Sequence, residues 1–388
     1  MNNIYPVNSH LHTPYSFSAF KSIEQIFKMA KEENIKSVGI NDFYTTDGYS
    51  EFNSFAQKYK IYPLFNIEFI GLLKEFQEQG IRVNDPNNPG RIYFSGKGLK
   101  FPFSLKGNQL KILNSVQEES QRQIKEMIAR ANNFFTEVGA EIHLDYHDIK
   151  DKYAKNLVRE RHLAKAIYNV VMKKSKGDTG KANGLFKLIY SGTDPVSNPG
   201  DMAAVENEIR SRLLKTGGSA FVPEDESAFL SIPQIIEIII TAGGIPCYPT
   251  LLDDAKGNFT DFEKDWEKMY QYLNELNVGC IELIPNRNDI GILEEFVNFF
   301  RSKNFIIALG TEHNSPDMIP ITPSTRKGIP LSDKLKAVSW EAACVIAAHQ
   351  EYVSSGKPGY LDKSGKPRNS EIEQFINFGK SAIENYHV

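Results

Sequence analysis

Two histidines stand one residue apart where the first predicted strand, Ile4 to Ser9, comes to an end. His10 and His12 flank Leu11, and side chains alternate along an extended chain, so both imidazoles point to the same side. Two neutral imidazoles side by side suit a divalent transition metal. The other interpretation is a chance pair of polar loop histidines. We therefore predict a metal site at this strand end.

Carboxylates follow the next two predicted strands. Asp42 comes after the apolar stretch that ends at Ile40, and it could ligate a metal, hold a ligand histidine in place or serve as a helix N-cap. Glu68 lies between Ile67 and Phe69, and a carboxylate among apolar neighbours needs a cation. A metal or a basic side chain would meet that need. We expect both carboxylates to lie near the two histidines.

Two further strand ends add candidates. A predicted strand from Ala140 to Tyr146 contains His143, which points to the same side as His147. We prefer His143 as a ligand because it lies in the apolar part of the strand, and a satisfied core histidine is the alternative. Glu312 and His313 follow the last predicted strand and point to opposite sides if the strand continues. We expect one of these two to face the site.

Apolar runs of strand length alternate with amphipathic helical stretches, which is typical of an α/β protein with parallel strands. A closed or nearly closed barrel is favoured over an open sheet, because no glycine-rich phosphate motif follows the first strand. Functional groups of such barrels gather at the carboxyl ends of the strands. The predicted strands are Ile4–Ser9, Ser37–Ile40, Ile61–Phe69, Ala140–Tyr146, Ile245–Tyr248, Gly279–Ile284 and Phe305–Leu309.

Two insertions interrupt this rhythm. Residues 72–118 are rich in Gly, Asn, Pro and Lys and are predicted to be mostly loops, whereas residues 148–230 are predicted to be mostly helical. We therefore expect one barrel over residues 1–350 with two insertions, followed by a helical tail over residues 351–388.

Basic side chains cluster near a predicted helix start in the second insertion. Arg161 and Lys165 are four residues apart and share a helix face, close to Arg159 and His162. Basic groups at a helix N-terminus suit the binding of a phosphate or carboxylate group. The alternative is a solvated basic face. We keep all four as candidate substrate-binding residues.

Composition excludes several classes of protein. The 388 residues carry a formal net charge of -3, which argues against a broad nucleic-acid surface. The three cysteines are scattered and predict neither a disulfide framework nor a CxxC metal site. No signal peptide or membrane span is visible, so we expect a cytoplasmic protein with no membrane and no nucleic-acid partner.

The candidate residues and their order resemble the polymerase and histidinol phosphatase (PHP) domain superfamily. The resemblance covers most of the chain outside the two insertions. It rests on the segments His10–Ser16, Gly39–Phe43, Pro63–Glu68, Val158–Ala164, Ala242–Pro246, Gly279–Glu282 and Gly310–His313.

This resemblance implies a distorted (β/α)7 TIM-like barrel that binds up to three divalent metals. His10, His12, Glu68 and Glu312 match the four protein ligands of one metal. Other ligand positions differ, and they hold Phe43, Thr250 and Asn314. The resemblance therefore implies one firm metal site, and a second, weak site at best around Glu68 and His143. His313 could replace a lost ligand if its loop shifts by one residue.

The implied activity is metal-dependent hydrolysis of a phosphoester in a small anionic substrate, with water activated by the metal. The ligand types suit Zn, Mn or Fe without choosing among them. Asp42 is the nearest candidate for a separate acid or base. The alternatives are an amide or lactone hydrolase with a single metal, and a non-catalytic metal-binding homologue.

Overall fold

Seven strands form one sheet whose order in space follows their order in the chain. The structure is a computed structural model and describes residues 3–386. The strands are β1 (Val7–Leu11), β2 (Ser37–Phe43), β3 (Tyr62–Leu72), β4 (Arg91–Lys97), β5 (Ile245–Thr250), β6 (Cys280–Leu283) and β7 (Ile306–Leu309). A separate short hairpin pairs β8 (Ser324–Thr325) with β9 (Ile329–Pro330).

Helices connect the strands and extend beyond them. They are α1 (Ile23–Glu32), α2 (Tyr49–Tyr59), α3 (Lys74–Glu78), α4 (Gly107–Glu137), α5 (Tyr146–Tyr153), α6 (Glu160–Ser175), α7 (Thr179–Ile189), α8 (Met202–Ile209), α9 (Ile232–Thr241), α10 (Trp266–Glu275), α11 (Ile290–Ser302), α12 (Asp333–Ser354) and α13 (Ile372–Asn385). Local sequence explains where several begin. The Ser22 side chain, for example, accepts a hydrogen bond from the backbone N–H of Gln25 at the start of α1. No helix within residues 3–386 combines the length and apolar character needed to cross a bilayer.

The sheet curves until its two edges meet. Strands β1 to β3 are parallel, as are β5 to β7, whereas β4 runs antiparallel to both of its neighbours. Beyond the end of β7, the backbone N–H of Glu312 donates to His10 O at 2.9 Å, and the N–H of His12 donates to Glu312 O at 2.8 Å. These bonds join the two edges at the carboxyl end of β1. The α/β class and the nearly closed TIM-like barrel are therefore confirmed.

Strand β4 lies inside the segment that was predicted to be mostly loops, so that part of the prediction is wrong. Ile92 and Phe94 pack into the main apolar core, while Tyr93, Ser95 and Lys97 point to the other side of the strand. Two of these three side chains are polar, and Gly, Asn and Pro precede the strand. A strand with a polar inner face does not produce the apolar run by which the other strands were recognised.

The strand predicted from Ala140 to Tyr146 does not form, and this prediction is also wrong. The segment is irregular up to Asp145, where α5 is capped. The backbone N–H and C=O of Leu144 both bond to the side chain of Asn132, each at 2.8 Å, in place of a neighbouring strand. Ile142 and Leu144 are buried against α4, which explains the alternating pattern without a sheet.

Three apolar clusters hold the molecule together. The main cluster lies between the sheet and its surrounding helices, and a second one joins the C-terminal half of α4 to helices α5 to α8. The third places α12 against the amino-terminal part of the barrel, with residues such as Val7, Leu64 and Ile306. All three cysteines are buried and unpaired. The carboxyl ends of the strands are thereby left free for a site.

Candidate metal centre

Three potential metal ligands converge at the carboxyl ends of β1 and β3. The Nε2 atoms of His10 and His12 are 3.3 Å apart, and Glu68 Oε2 lies 3.7 Å from the first and 3.2 Å from the second. The three side chains belong to residues that are only 2%, 0% and 2% exposed. His, His and Glu in this arrangement are typical of a zinc-type or related transition-metal site.

The electrostatics of this cluster fit a bound cation. Glu68 Oε2 has no hydrogen-bond partner among the described residues, although it is fully buried. Burial raises the pKa of Glu68 to about 8, and burial lowers the pKa of His12. An unpartnered carboxylate oxygen that faces two imidazole nitrogens is costly without a positive charge between them. A divalent metal held by His10, His12 and Glu68 would remove that cost.

A buried carboxylate orients His10. Glu282, on β6, accepts a hydrogen bond from His10 Nδ1 at 2.8 Å, which leaves the lone pair on Nε2, where Asn41 Nδ2 also lies 3.1 Å away. Ser95 and Lys97 of β4 also donate to Glu282. Burial alone would raise the pKa of Glu282, but the Lys97 ammonium and His10 hold it below its usual value. In the sequence, Glu282 stands out only as the end of the segment Gly279–Glu282 that carries the resemblance.

A hydroxyl group orients His12 in the same way. Ser16 Oγ lies 3.2 Å from His12 Nδ1 and donates its own proton to Asp42 Oδ1 at 2.6 Å. The same oxygen of Asp42 accepts the backbone N–H of Thr13 at 2.7 Å. The hydroxyl of Thr13 donates a hydrogen bond to the second carboxylate oxygen of Asp42, Oδ2. The His12 Nδ1–H therefore points to Ser16, and its Nε2 faces Glu68.

Asp42 consequently sits behind His12 and outside the cavity. Its oxygens accept hydrogen bonds from Thr13 and Ser16, and it is fully buried. Burial raises the pKa of Asp42, while His12 and these hydrogen bonds oppose the rise. Of the roles predicted for Asp42, this position favours the support of a ligand histidine over proton transfer to a substrate.

Two of the predicted ligands are not brought to the cluster. His143 lies in the irregular segment before α5 and is exposed, as is His147. His313 has both ring nitrogens engaged, with Thr311 Oγ1 at 2.9 Å and the backbone oxygen of Ile319 at 3.0 Å. His143 was misplaced because the predicted strand is absent. His313 is turned away by the left-handed backbone at φ 56°.

Glu312 lies next to the centre, where its backbone joins β1 at His10 and His12. Its side chain lines the same cavity as His10 and Glu68, but its carboxylate is paired with Arg287. Burial alone would raise the pKa of Glu312, whereas Arg287 and the two histidines lower it. Glu312 is therefore beside the three-atom cluster and is not part of it.

The positions where the resemblance implied other ligands hold side chains with different contacts. The Phe43 ring stacks on His12, with centroids 4.9 Å apart. Thr250 is buried in the cavity wall and its hydroxyl has no partner among the described residues, and Asn314 also lines the wall. These side chains shape the cavity around one cluster of ligands.

His10 and Glu68 of the cluster line a cavity of about 330 Å³, with Arg91, Lys215 and Arg287 also in its walls. A second cavity of about 360 Å³ shares Arg287 and Glu312 with the first and extends to Arg161 on α6. Together they make a polar space next to the candidate ligands, lined by both basic and acidic side chains.

The four basic candidates of the second insertion have different positions. Arg161 lines the second cavity and bonds to Asn207 at 3.1 Å, whereas Arg159 lies 5.0 Å over the ring of Phe43. His162 is buried and accepts the N–H of Arg159 at the start of α6, and burial lowers its pKa to about 3. Burial raises the pKa of Glu206 to about 7, against the effect of the nearby Lys165 and Arg161.

Fold and site together define a TIM-like barrel with a candidate metal centre at the carboxyl ends of its strands. Residues 8–190 match the family model of the PHP domain. This match confirms, over that segment, the resemblance inferred from the motifs. No curated protein matches the sequence closely enough to add to this assignment.

Two solved structures share this architecture. A provisionally named metal-dependent phosphoesterase from Bifidobacterium adolescentis aligns with 10% identity and a TM-score of 0.56, over 87% of this chain and 96% of that one. An amidohydrolase from Chromobacterium violaceum, with bound sulfate and no metal, aligns with 12% identity and a TM-score of 0.52, over 86% of this chain and 96% of that one. At such low identity these likenesses show the fold alone.

Proposed function

We propose that this protein is a metal-dependent hydrolase that cleaves a phosphoester in a small anionic substrate. The observation that carries the proposal is the convergence of His10 Nε2, His12 Nε2 and Glu68 Oε2 beside a cavity whose lining includes Arg91, Lys215 and Arg287. The PHP domain match over residues 8–190 supports the same class of enzyme.

The ligand set suits Zn, Mn or Fe. When bound, such an ion supplies Lewis-acid activation of water and of a phosphoryl oxygen. The chain's own contribution is to prepare the ligands. Glu282 and Ser16 accept the Nδ1–H groups of His10 and His12, so that both Nε2 lone pairs face Glu68.

Arg287 is the best placed group to bind a substrate anion. It lines both cavities, its side chain is 42% exposed, and its guanidinium already pairs with the carboxylate of Glu312. Arg91 is less available, since it is held by Glu224 and lies near Asp85. A guanidinium binds phosphate through two parallel hydrogen bonds, so Arg287 suits a phosphoryl group.

The balance of charge in the cavity also favours an anion. With Glu68 ionised as a metal ligand, the charged groups next to the cluster sum to one net negative charge, which a divalent ion would convert to one net positive charge. The carboxylates are Glu68, Glu282 and Glu312, and the basic groups are Lys97 and Arg287. A negatively charged substrate would therefore enter an attractive field.

The test is a hydrolysis screen on protein that has been freed of metal and reloaded with Mn²⁺ or Zn²⁺. We expect phosphoester hydrolysis that depends on the added metal and falls more than about 100-fold in His12→Ala, since even changes behind metal ligands cost 10- to 100-fold. His143→Ala is the matched control, because this histidine is exposed and should leave activity unchanged.

The other possible outcomes of this screen distinguish the alternative functions. Phosphoester hydrolysis that survives His12→Ala would contradict the proposed mechanism. Cleavage of amides or lactones, with none of phosphoesters, would assign the alternative hydrolase activity. Tight metal binding without any hydrolysis would indicate a non-catalytic metal-binding protein.

A further inference from the structure

Lys97 of β4 is a fully buried lysine next to the candidate metal centre. It is 0% exposed, and no other lysine in residues 3–386 is buried. Lysine is almost never buried without a partner, because its charge must be removed from water. The position of Lys97 therefore calls for a specific reason.

The reason lies in the contacts of its ammonium group. Lys97 Nζ forms an ion pair with Glu282 Oε2 and donates to Asn41 Oδ1 at 3.2 Å. Glu282 Oε2 also accepts the Nδ1–H of the ligand His10 at 2.8 Å, so a single carboxylate joins the ammonium to the centre. Ser95, two residues before Lys97, donates to the other oxygen of Glu282.

The atoms around this ammonium are donors that a divalent metal would otherwise use. A carboxylate and a side-chain carbonyl face one point, with a hydroxyl beside them, and such oxygen ligands suit Mg²⁺ or Mn²⁺. Lys97 Nζ already lies between Glu282 and Asn41. A second divalent ion at this point would meet a like charge in a buried environment, where repulsion is strong.

We propose that Lys97 is a built-in cation that neutralises Glu282 in place of a second metal ion. It thereby limits the centre to one divalent ion at His10, His12 and Glu68. It also keeps Glu282 in position to orient His10, which makes Lys97 a positioning residue. The inference rests on the proposed function only in that it takes the His10, His12 and Glu68 cluster to be the metal centre.

Metal stoichiometry tests this inference directly. Wild-type, Lys97→His and Lys97→Met proteins are dialysed against Mn²⁺ and analysed by elemental analysis and calorimetric titration. We expect one equivalent in the wild type and two in Lys97→His, where a neutral metal-binding side chain replaces the ammonium. Lys97→Met has neither charge nor donor, and we expect one equivalent with affinity reduced about 10- to 100-fold.

Circular dichroism and melting curves verify that the variants fold. Two or more equivalents of Mn²⁺ bound to the wild type would overturn the inference. This result would count even if neither variant folds. A folded Lys97→His protein that still binds one equivalent would also overturn it, as would unchanged affinity in Lys97→Met. Wild-type protein that binds no metal contradicts both proposals, whereas metal binding without hydrolysis contradicts the proposed function alone.

Discussion

At the scale of single residues, the two ligand histidines are prepared by different partners. His10 donates to a carboxylate, Glu282, and His12 donates to a hydroxyl, Ser16, whose proton goes to Asp42. A carboxylate partner makes an imidazole more basic than a hydroxyl partner does. We therefore infer that His10 is the stronger metal ligand of the two histidines.

Glu68→Gln separates metal binding from the stability of the metal-free protein. The variant loses the charged ligand, so metal affinity should fall by at least about 100-fold, because changes behind the ligands already cost 10- to 100-fold. The metal-free fold should tolerate the change, since Gln adds no charge to a fully buried position. Calorimetric titration with Mn²⁺ and urea unfolding in chelator measure the two effects. Equal affinities in variant and wild type would exclude Glu68 as a ligand.

The raised pKa of Glu68 predicts how the stability of metal-free protein depends on pH. Because burial raises this pKa from 4.5 to about 8, the folded state binds a proton more tightly than the unfolded state. That contribution is fully present below pH 4.5 and is lost as pH rises through 8. The free energy of unfolding should fall more steeply between pH 6 and 9 in the wild type than in Glu68→Gln. Parallel curves would show that Glu68 has an ordinary pKa.

Asp42→Asn distinguishes a positioning residue from a general acid or base. The amide retains one acceptor oxygen, so Thr13 and Ser16 lose a partner and stability should fall by about 1–3 kcal/mol. Metal affinity should fall as His12 loses its orientation, and excess metal should restore turnover. A loss of turnover that persists at saturating metal would instead assign proton transfer to Asp42.

At the scale of elements, the centre depends on how closely the end of β7 approaches β1. A Cβ atom on Gly310 would lie 2.8 Å from the backbone nitrogen of His10 and closer still to its Cβ. Only glycine allows the strand edges to meet at this distance. The position of His10 is therefore set by barrel closure as well as by its own hydrogen bonds.

Gly310→Ala should disturb this closure. We expect a loss of about 1–3 kcal/mol in the free energy of unfolding, together with weaker metal binding as His10 is displaced. Gly184→Ala is the matched control. Gly184 lies in α7, and a methyl group there would have no neighbour within 4 Å, so alanine should stabilise by about 0.5–1 kcal/mol. Urea unfolding measures the stability of both variants, and Mn²⁺ titration measures their metal affinity. Equal changes in Gly310→Ala and Gly184→Ala would refute the role of Gly310 in barrel closure.

At the scale of the whole molecule, metal binding should stabilise the folded state. A ligand that binds only the native protein adds about 2.7 kcal/mol at a concentration of one hundred times its dissociation constant. Melting curves with and without Mn²⁺ should show this increase in the wild type and in His143→Ala. His12→Ala should show none, because the three-ligand cluster is then incomplete. A shift in His12→Ala equal to that of the wild type would place the metal elsewhere.

Much of the barrel and of the centre could be predicted from local pattern. The apolar runs of β1, β2, β3, β5, β6 and β7 are recognisable because their buried residues lie in continuous stretches. His10, His12 and Glu68 could be predicted because they are polar residues within or directly after such apolar strands. Strand β4 and its Lys97 could not, since a strand whose inner face is polar lacks this pattern. The apolar alternation around His143 predicted a strand, but it reflects packing on α4.

The sequence alone therefore determined the α/β barrel, the PHP resemblance and a wider set of candidate ligands that includes the three whose atoms converge. The tertiary structure decided which polar groups surround them. It placed Glu282, Ser95 and Lys97 around His10, put Asp42 behind His12 through Ser16, and turned His313 away. The physical reason is that the alternation of side chains and the position of a strand end are set by residues close together in the chain. His10 and Glu282, for example, meet across the closed barrel although they are 272 positions apart, and local sequence carries no record of such contacts.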